Sequence, residues 1–428
     1  MTVALTRTVA VLGASYGGAN VAQALATSLP EGWRVVVIDR NSHMNHLYVF
    51  SRYSVVGGHE HKAFIPYKRL FWQRGQAGVQ PPKSEDGRHL FLQATVTGID
   101  THSLTLSKAI PDAGITEPKL SFDYLVYALG SHTPEPIDLW GSVSPGSVKY
   151  DGTKTKGIEF LKSAQKKIEE APSVLVVGGG ALGIQYATDI KDAYPDKPVT
   201  LLHSRERVLP KFQPSMHEQI VQRMKDLGVD VILGERLDLS SVPTSAPSTT
   251  DEHMLRTLSG REIRASLVLL CTGQKPNTDL LRNILPDSII ADGPDKGYLR
   301  VNRALQVAAP SANGANEMHT PNPHIFAIGD AADAFGALKA GHNAHHQGSI
   351  AAQNILRLIH RGTGPETEPL ESYTPAPPGI KVSIGLDRAV FQRGPRVGTM
   401  NDQPLDWEAA HMWRVFGYPS MQEIDLYE

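Results

Sequence analysis

The sequence predicts an α/β protein with two parallel β-sheets, each opened by a strand, a glycine-rich turn and a helix. The first unit starts with Thr8-Val-Ala-Val-Leu and turns at Gly13-Ala-Ser15-Tyr-Gly17-Gly18. The second starts with Val174-Leu-Val-Val and turns at Gly178-Gly-Gly180-Ala-Leu-Gly183. One such turn is a weak signal, but two of them, each between an apolar strand and a helical pattern, indicate two Rossmann-like dinucleotide-binding units.

The small residues of both turns are candidate cofactor contacts. The first glycine permits the tight bend, the middle residue lets a pyrophosphate approach the helix N-terminus, and the last lets the helix pack on the strand. Gly178, Gly180 and Gly183 fit this pattern fully. In the first turn Ser15 replaces the middle glycine, and its hydroxyl is an additional candidate phosphate contact.

The strand after each turn ends in a different kind of side chain. Asp39 lies 21 residues after Gly18 and is followed by Arg40, so a carboxylate stands where a ribose would donate hydrogen bonds. The alternative is a surface aspartate at a strand end. In the second unit the strand ends in His203-Ser-Arg205, with Arg207 nearby, and it lacks the terminal carboxylate of the first unit. This predicts NADPH, or tolerance of both NADPH and NADH, unless the arginines are merely solvated.

Composition narrows the class of protein. A chain of 428 residues predicts two or three domains, and its net charge of −2 gives no electrostatic footprint for nucleic acid. The sequence has no secretory-type N-terminus and no apolar run long enough to span a membrane, so we expect a soluble, cytoplasmic protein. The single cysteine, Cys271, excludes a redox disulfide, and its place at the end of an apolar strand favours a packed, unreactive thiol.

Two regions of the sequence are rich in histidine. Residues 41–70 are rich in His, Tyr, Phe and Asn, and they line either a flavin or an aromatic substrate, or pack against the sheet edge. A helix is predicted over 338–361, where His342, His345 and His346 share one face. Because no carboxylate or cysteine accompanies them, we expect no metal site.

The remaining pattern predicts a β-meander over 88–131, a linker over 141–157 and a helix over about 158–170. An amphipathic helix over 216–227, a polar loop over 240–252 and a hairpin over about 253–270 follow. The last 60 residues contain a proline-rich joint, a strand from Ile380 and a helix-like tail with Leu405, Met412, Trp413 and Phe416 on one face. This tail is a candidate core element, homodimer contact, peripheral membrane contact or cap.

Together, the motifs at 13–18, 39, 124–131, 178–183, 267–273 and 324–332 resemble those of the two-dinucleotide-binding-domain flavoproteins. The resemblance is strongest to the apoptosis-inducing-factor-like, ferroptosis-suppressor-like and type II NADH dehydrogenase branch, and it covers roughly residues 1–370. It implies a discontinuous FAD-binding domain (1–140 and 272–368), an inserted NAD(P)H-binding domain (141–271) and a small C-terminal α+β segment (369–428) that forms an interface or cap.

The resemblance also implies roles for single residues. Ala128-Leu-Gly130-Ser stands where the family has an A-T-G-S turn, with leucine in place of threonine, and Cys271-Thr-Gly273 matches the second copy. Gly329-Asp330 resembles the G-D motif, whose aspartate hydrogen-bonds the flavin ribityl and phosphate region.

Lys339 and Gln185 are the residues that the resemblance places nearest the chemistry. Lys339 matches a lysine close to the flavin and is the candidate catalytic residue, since a cation there would stabilise negative charge on the reduced ring. The alternative is a surface lysine. Gln185 replaces a glutamate that faces the nicotinamide in many relatives, so it can bind a carboxamide but carries no charge.

The predicted function is hydride transfer from NADPH or NADH to FAD and then to a quinone-like or other small aromatic acceptor, without a redox disulfide. Aromatic residues in 43–53 and 405–418 are candidates for lining the acceptor's entry. Two alternatives stay open: a biosynthetic flavoenzyme that oxidises or oxygenates a specialised small molecule, and an FAD-bound signalling protein with weak turnover.

Overall fold

The computed structural model describes residues 6–71, 88–141, 149–243, 251–311, 314–362 and 368–422. The α-helices in these ranges are α1 (Tyr16–Ser28), α2 (Phe50–Tyr53), α3 (Lys154–Glu170), α4 (Ala181–Ala193), α5 (Pro214–Leu227), α6 (Gly341–Arg361) and α7 (Ala409–Val415).

The first large sheet has five parallel strands drawn from both ends of the chain. Their order across the sheet is Ile325–Ala327, Tyr124–Tyr127, Arg7–Leu12, Trp33–Asp39 and Leu90–Gln93. The first strand in the chain lies in the centre, and its residues 9–12 are fully buried, which explains their unbroken apolar character. α1 follows this strand directly and packs on α6.

The second large sheet has four parallel strands from the middle of the chain. Their order is Asp230–Leu233, Val199–His203, Val174–Val177 and Leu267–Leu270. Here too the strand that precedes the glycine-rich turn is central, and α4 follows that turn. Two parallel sheets, each with a switch in strand order, confirm the predicted α/β fold class.

Smaller sheets join and flank these two, and they are antiparallel except for the parallel pair of Leu299–Arg300 with Ala332–Asp333. Two of them have three strands: one is formed by Val96–Asp100, Ser103–Leu106 and Lys119–Ser121, and the other by Gly379–Ser383, Ala389–Arg393 and Arg396–Met400. The others are pairs of strands: His43–Asn45 with Phe64–Pro66, Ser131–His132 with Lys275–Pro276, His253–Arg256 with Glu262–Ala265, Leu299–Arg300 with Ala332–Asp333, and Ala309–Ser311 with Gly314–His319. The chain leaves the first large sheet through residues 131–132 and leaves the second through residues 275–276. These two crossings between the large sheets pair with each other.

The C-terminal segment packs into the molecule. Val382, Val390 and Ala409 belong to the core around the second sheet. Trp413 and Phe416 are fully buried in the core around the first sheet. Trp413 and Phe416 are therefore core residues, whereas Leu405 is 47% exposed and precedes α7.

Several predicted boundaries differ from the structure. α3 begins at Lys154, capped by the Thr153 hydroxyl, so part of the predicted linker is helical. α6 begins at Gly341, which places Lys339 in the turn before the helix. Residues 142–148 of the predicted linker and 244–250 of the predicted polar loop lie outside the described residues.

Within the described ranges, no helix combines the length and apolar character needed to cross a membrane. Nor do three or more His, Cys, Asp or Glu side chains in the part of the chain that the structure describes form a group that could hold a metal ion.

Candidate functional site

A cavity of about 720 Å³ is lined by residues that follow the strands of both large sheets. Most of the predicted site residues line it. These are Gly13, Ser15, Gly17, Asp39, Arg40, Ala128, Gly130, Gly180, Gln185, Gly273, Gly329, Asp330 and Lys339. The predicted residues outside its lining are Gly18, Gly178, Gly183, His203 and Arg205. Both glycine-rich turns thus open on one space.

The first glycine of each turn makes the bend. Gly13 has φ +88° and Gly178 has φ +122°, a region that side-chain-bearing residues rarely adopt. A Cβ on Gly13 would lie 2.5 Å from the Ala128 carbonyl oxygen, and one on Gly178 would lie 2.8 Å from that of Cys271. Neither position has room for a side chain.

The last glycine of each turn lets the helix pack against the turn. A Cβ on Gly18 would lie 1.8 Å from the Gly13 carbonyl oxygen, and one on Gly183 would lie 1.9 Å from that of Gly178. The middle positions differ from this. Ser15 lines the cavity, and a Cβ on Gly180 would meet nothing within 4 Å. The outer glycines of each turn are therefore structural, and the middle position faces the cavity.

Asp39 is held at the end of its strand by three hydrogen bonds. The Ala14 N–H donates to Oδ2 at 2.8 Å, and the backbone and side-chain N–H groups of Asn41 both donate to Oδ1 at 2.8 Å. Burial raises the pKa of this carboxyl, and the hydrogen bonds oppose the shift. Asp39 has acceptor capacity left for a hydroxyl from the cavity.

His203 occupies the equivalent place in the second unit. In the first unit the Gly13 N–H donates to the Ile38 carbonyl, and Asp39 is the next residue. In the second unit the Gly178 N–H donates to the Leu202 carbonyl, and His203 is the next residue. The Gly179 N–H donates to His203 Nδ1 at 3.0 Å. Since a backbone N–H is the donor, Nδ1 accepts and the imidazole is neutral; burial also lowers its pKa. Arg205, two residues further on, is exposed.

Asp330 lies between the two chain crossings and the turn before α6. The Gln274 side-chain amide donates to Asp330 Oδ2 at 2.9 Å and to the Ser131 hydroxyl at 2.6 Å. Burial raises the pKa of Asp330, and the Lys339 ammonium opposes this shift. Gln274, at one crossing, therefore connects Ser131 at the other crossing with Asp330 of the Gly-Asp motif.

Lys339 is half-buried at the cavity wall. Its ammonium donates to the Ala332 carbonyl and lies 4.2 Å from the centre of the Tyr298 ring. Burial lowers its pKa, and the carboxylates of Asp330 and Asp333 oppose this. With α6 starting two residues later, a cation and a helix N-terminus lie on the same side of the cavity.

Tyr16, Tyr48 and Trp140 line the cavity and were not individually predicted, and neither was His46 beside them. The Tyr16 hydroxyl bonds to His46 Nδ1 at 2.9 Å, and the Gly341 N–H at the start of α6 donates to the Tyr48 hydroxyl at 2.6 Å. The Arg40 guanidinium lies 4.4 Å from the Trp140 ring centre. The aromatic richness of 41–70 was the only signal for Tyr48 and His46, and it did not separate them from their neighbours. Trp413 and Phe416, predicted near an acceptor entry, do not line this cavity.

Cys271 borders the cavity at the end of the strand Leu267–Leu270. Burial raises the pKa of its thiol, which keeps it protonated and a poor nucleophile. As the only cysteine in the sequence, it has no partner for a redox disulfide.

The residues present fit a flavin dinucleotide and a nicotinamide dinucleotide. Ser15 and Gly180 leave the N-terminal ends of α1 and α4 open to the cavity, where backbone N–H groups suit a pyrophosphate. Asp39 offers a carboxylate at one end of the cavity wall, and Lys339 offers a cation at another.

Comparison with known proteins shows which family the chain belongs to. A family model described as pyridine nucleotide-disulphide oxidoreductase matches residues 7–348. Fe-regulated protein 8 of Mycosarcoma maydis is 44% identical over 411 residues, which cover 95% of this chain and 94% of that protein. Ferroptosis suppressor protein 1 of Homo sapiens is 27% identical over 387 residues, covering 90% of this chain and 88% of the human protein.

Solved structures share the fold. The NAD-dependent persulfide reductase of A. fulgidus superposes with a TM-score of 0.60 at 19% identity, over 90% of this chain. The match covers 63% of the reductase, so this chain spans less than two thirds of that protein's length. The family match and the relatives confirm the resemblance seen in the sequence. The chain therefore belongs to the pyridine nucleotide-disulphide oxidoreductase family, in its apoptosis-inducing-factor-like and ferroptosis-suppressor-like branch of NAD(P)H-dependent flavin oxidoreductases.

Proposed function

We propose that this protein binds FAD at the Gly13–Gly18 turn, takes a hydride from NADPH or NADH bound at the Gly178–Gly183 turn, and passes the electrons to a quinone-like acceptor. The observation that carries this proposal is the shared cavity, which both turns and Lys339 line. Two nucleotides bound at turns that open on one space can bring their rings into contact, and position is the main requirement for hydride transfer.

On the flavin side, Ser15 and the start of α1 hold the pyrophosphate, and Asp39 accepts hydrogen bonds from the adenosine ribose. Asp330, kept in place by Gln274, bonds the ribityl and phosphate region. When bound, FAD supplies a ring that accepts a hydride and later releases two electrons. Lys339 and the N-terminus of α6 stabilise negative charge that develops at that ring.

On the nicotinamide side, Gly180 and the start of α4 hold the pyrophosphate, and the Gln185 amide orients the carboxamide. His203 is neutral and Arg205 is exposed nearby, so the strand end itself carries no negative charge that would repel a 2′-phosphate. These features support NADPH as a cofactor, with NADH also accepted.

A quinone-like acceptor is what the resemblance to the ferroptosis-suppressor branch implies. The aromatic rings of Tyr16 and Tyr48, with centres 5.2 Å apart, line the cavity and support a flat aromatic acceptor there. The predicted domain limits (1–140 with 272–368, 141–271 and 369–428), the cytoplasmic location and a homodimer or peripheral membrane contact of the C-terminal segment stay predictions. Burial of Trp413 and Phe416 leaves other tail residues for any such contact.

An anaerobic titration tests the proposal. The purified protein is mixed with NADPH, and in parallel with NADH, while flavin absorbance is followed; a soluble short-chain quinone is then added. We expect rapid bleaching and then recovery on addition of the quinone. Bleaching without recovery would reject the quinone-like acceptor, and absence of bleaching would reject the reductase function itself.

A further inference from the structure

The Arg52 guanidinium and the Asp189 carboxylate form a buried ion pair outside the cavity lining. Arg52, on α2, is 1% exposed, and Asp189, on α4, is fully buried. Arg52 Nε donates to Asp189 Oδ2 at 2.8 Å, and its Nη2 donates to Oδ1 at 3.2 Å. This two-point contact fixes the angle between the two side chains as well as their distance.

The same guanidinium also binds the C-terminal segment. Its Nη1 donates to the Leu386 carbonyl and its Nη2 to the Gly385 carbonyl, each at 2.9 Å. The Ser383 hydroxyl lies 3.5 Å from Asp189 Oδ2. One buried cation therefore holds α2, α4 and the turn after the strand Gly379–Ser383 at a single point.

α4 is the helix that opens at the second glycine-rich turn. Gln185, one turn before Asp189 on the same helix face, lines the cavity, and so does Gly180 at the helix start. On the same helix, the Tyr186 hydroxyl donates to the hydroxyl of Ser54, the residue just after α2, at 3.1 Å. The end of α2 thus contacts α4 at two successive points near its cavity-facing turn.

We propose that Arg52 is a positioning residue for hydride transfer. Through its ion pair with Asp189 it fixes the position of the first turns of α4, which carry Gln185, relative to the residues that line the flavin side of the cavity. The proposal rests on the proposed function for its catalytic consequence. Its structural premise, that the pair restrains the start of α4, is independent of that function.

Replacing both partners of the Arg52–Asp189 pair separates a positioning role from a role in stability alone. Loss of one partner leaves a buried charge without its counter-charge, which is strongly destabilising, whereas replacement of both by apolar side chains of similar size is often neutral for stability. An apolar pair, however, has neither the directional two-point contact nor the bonds to the carbonyls of residues 385 and 386. The apolar pair should thus fold, with some loss of stability from the two carbonyls that lose their donor, while relaxing the placement of α4.

The test uses the full-length holoenzyme with the double substitution Arg52→Met with Asp189→Leu. Flavin absorbance and thermal unfolding report folding. Hydrogen exchange of amides in 181–187 reports the restraint on α4, and stopped-flow bleaching by NADPH reports hydride transfer. We expect a folded, flavin-containing protein in which exchange is at least tenfold faster and the bleaching rate constant at saturating NADPH is at least tenfold lower. If the double variant does not fold, Arg52→Lys, which keeps the charge without the fork, should show both effects in the same direction.

Arg223→Met is the matched control. Arg223 Nε donates to the Ile384 carbonyl at 3.0 Å, and its Nη2 lies 3.6 Å from Asp192 Oδ2 of α4. It therefore ties α4 to the same C-terminal segment, but from α5 instead of α2. We expect its exchange and bleaching to match the wild type. Unchanged exchange and bleaching in a folded Arg52 variant would overturn the proposal. If NADPH fails to bleach even the wild type, the proposed function fails, while the exchange measurement still decides whether Arg52 positions α4.

Discussion

The backbone N–H of Gly179 donates a hydrogen bond to His203 Nδ1 at 3.0 Å, in the same place where that of Ala14 donates to Asp39 at 2.8 Å. The ring of His203 also packs against Gly179, since a Cβ there would lie 2.7 Å from two ring carbons. The two units therefore share one backbone arrangement and differ in charge at the residue that ends the second strand. That difference gives the first prediction.

Replacement of His203 by aspartate should shift the cofactor preference towards NADH. The new carboxylate accepts the Gly179 N–H as Asp39 accepts that of Ala14, and it repels a 2′-phosphate. We expect the ratio of kcat/KM for NADPH to that for NADH to fall at least about tenfold, a difference of roughly 1.4 kcal/mol. His203→Asn, which is neutral and keeps an acceptor, is the control; an equal fall in both variants would count against the charge argument.

Alanine at Gly183 and at Gly180 should have opposite consequences. At Gly183 the Cβ would overlap the Gly178 carbonyl oxygen, so we expect loss of folding or destabilisation of more than about 2 kcal/mol. At Gly180 the Cβ meets open space, so the melting temperature should stay near that of the wild type. NADPH affinity should nevertheless fall, because the methyl group enters the cavity. Denaturant unfolding and a binding titration measure the two effects, and a tightly binding Gly180→Ala variant would disprove the assigned role.

Lys339→Met should make reduction of the bound flavin less favourable. Removal of the cation withdraws stabilisation from the negatively charged reduced ring. A tenfold loss of relative affinity for the reduced form corresponds to about 30 mV for a two-electron couple, so we expect the midpoint potential to fall by at least about that amount. Lys339→Arg, which keeps the charge, should show a smaller change. A potential that is equal in all three proteins would leave Lys339 with only a structural role.

His46 should make the folded state sensitive to acid. Burial lowers its pKa to about 3, from an ordinary value near 6.5, while its Nδ1 contacts the Tyr16 hydroxyl. Between these values the unfolded chain binds a proton that the folded chain does not, so stability falls as pH drops from about 6.5 towards 3, by up to about 1.4 kcal/mol per pH unit. His46→Gln retains an acceptor for Tyr16. It should reduce the number of protons taken up on unfolding in this pH range by close to one, and so make the dependence of stability on pH less steep. The exposed His319, changed to glutamine, is the control for the loss of an imidazole as such.

Much of the cavity could be predicted because its requirements are local in sequence. The outer glycines of both turns are required because the backbone of the same strand–turn–helix unit leaves no room for a Cβ. Asp39 ends the next strand, where it accepts a hydrogen bond from the first turn. The family resemblance supplied Asp330 and Lys339, which come from the far end of the chain.

Side chains that meet across long separations were not predictable. Arg52 and Asp189 are 137 positions apart, and Gln274 and Ser131 are 143 apart, so no sequence pattern pairs them. The strands Ala389–Arg393 and Arg396–Met400 were missed because short strands with mixed burial lack a clear apolar run. The Trp413 and Phe416 stripe gave the correct apolar face, but periodicity alone did not distinguish a core from an acceptor entry.

The most direct test of the shared cavity is long-wavelength absorbance of the reduced protein during anaerobic titration with NADP⁺. A nicotinamide ring stacked on reduced flavin gives a broad charge-transfer band beyond the flavin's own absorption, and such stacking requires both rings in one space. We predict a saturable band that is weakened in the Gly180→Ala variant. Saturable binding of NADP⁺ to the reduced flavoprotein with no such band would contradict the claim that the two turns bring both nucleotides together in this cavity.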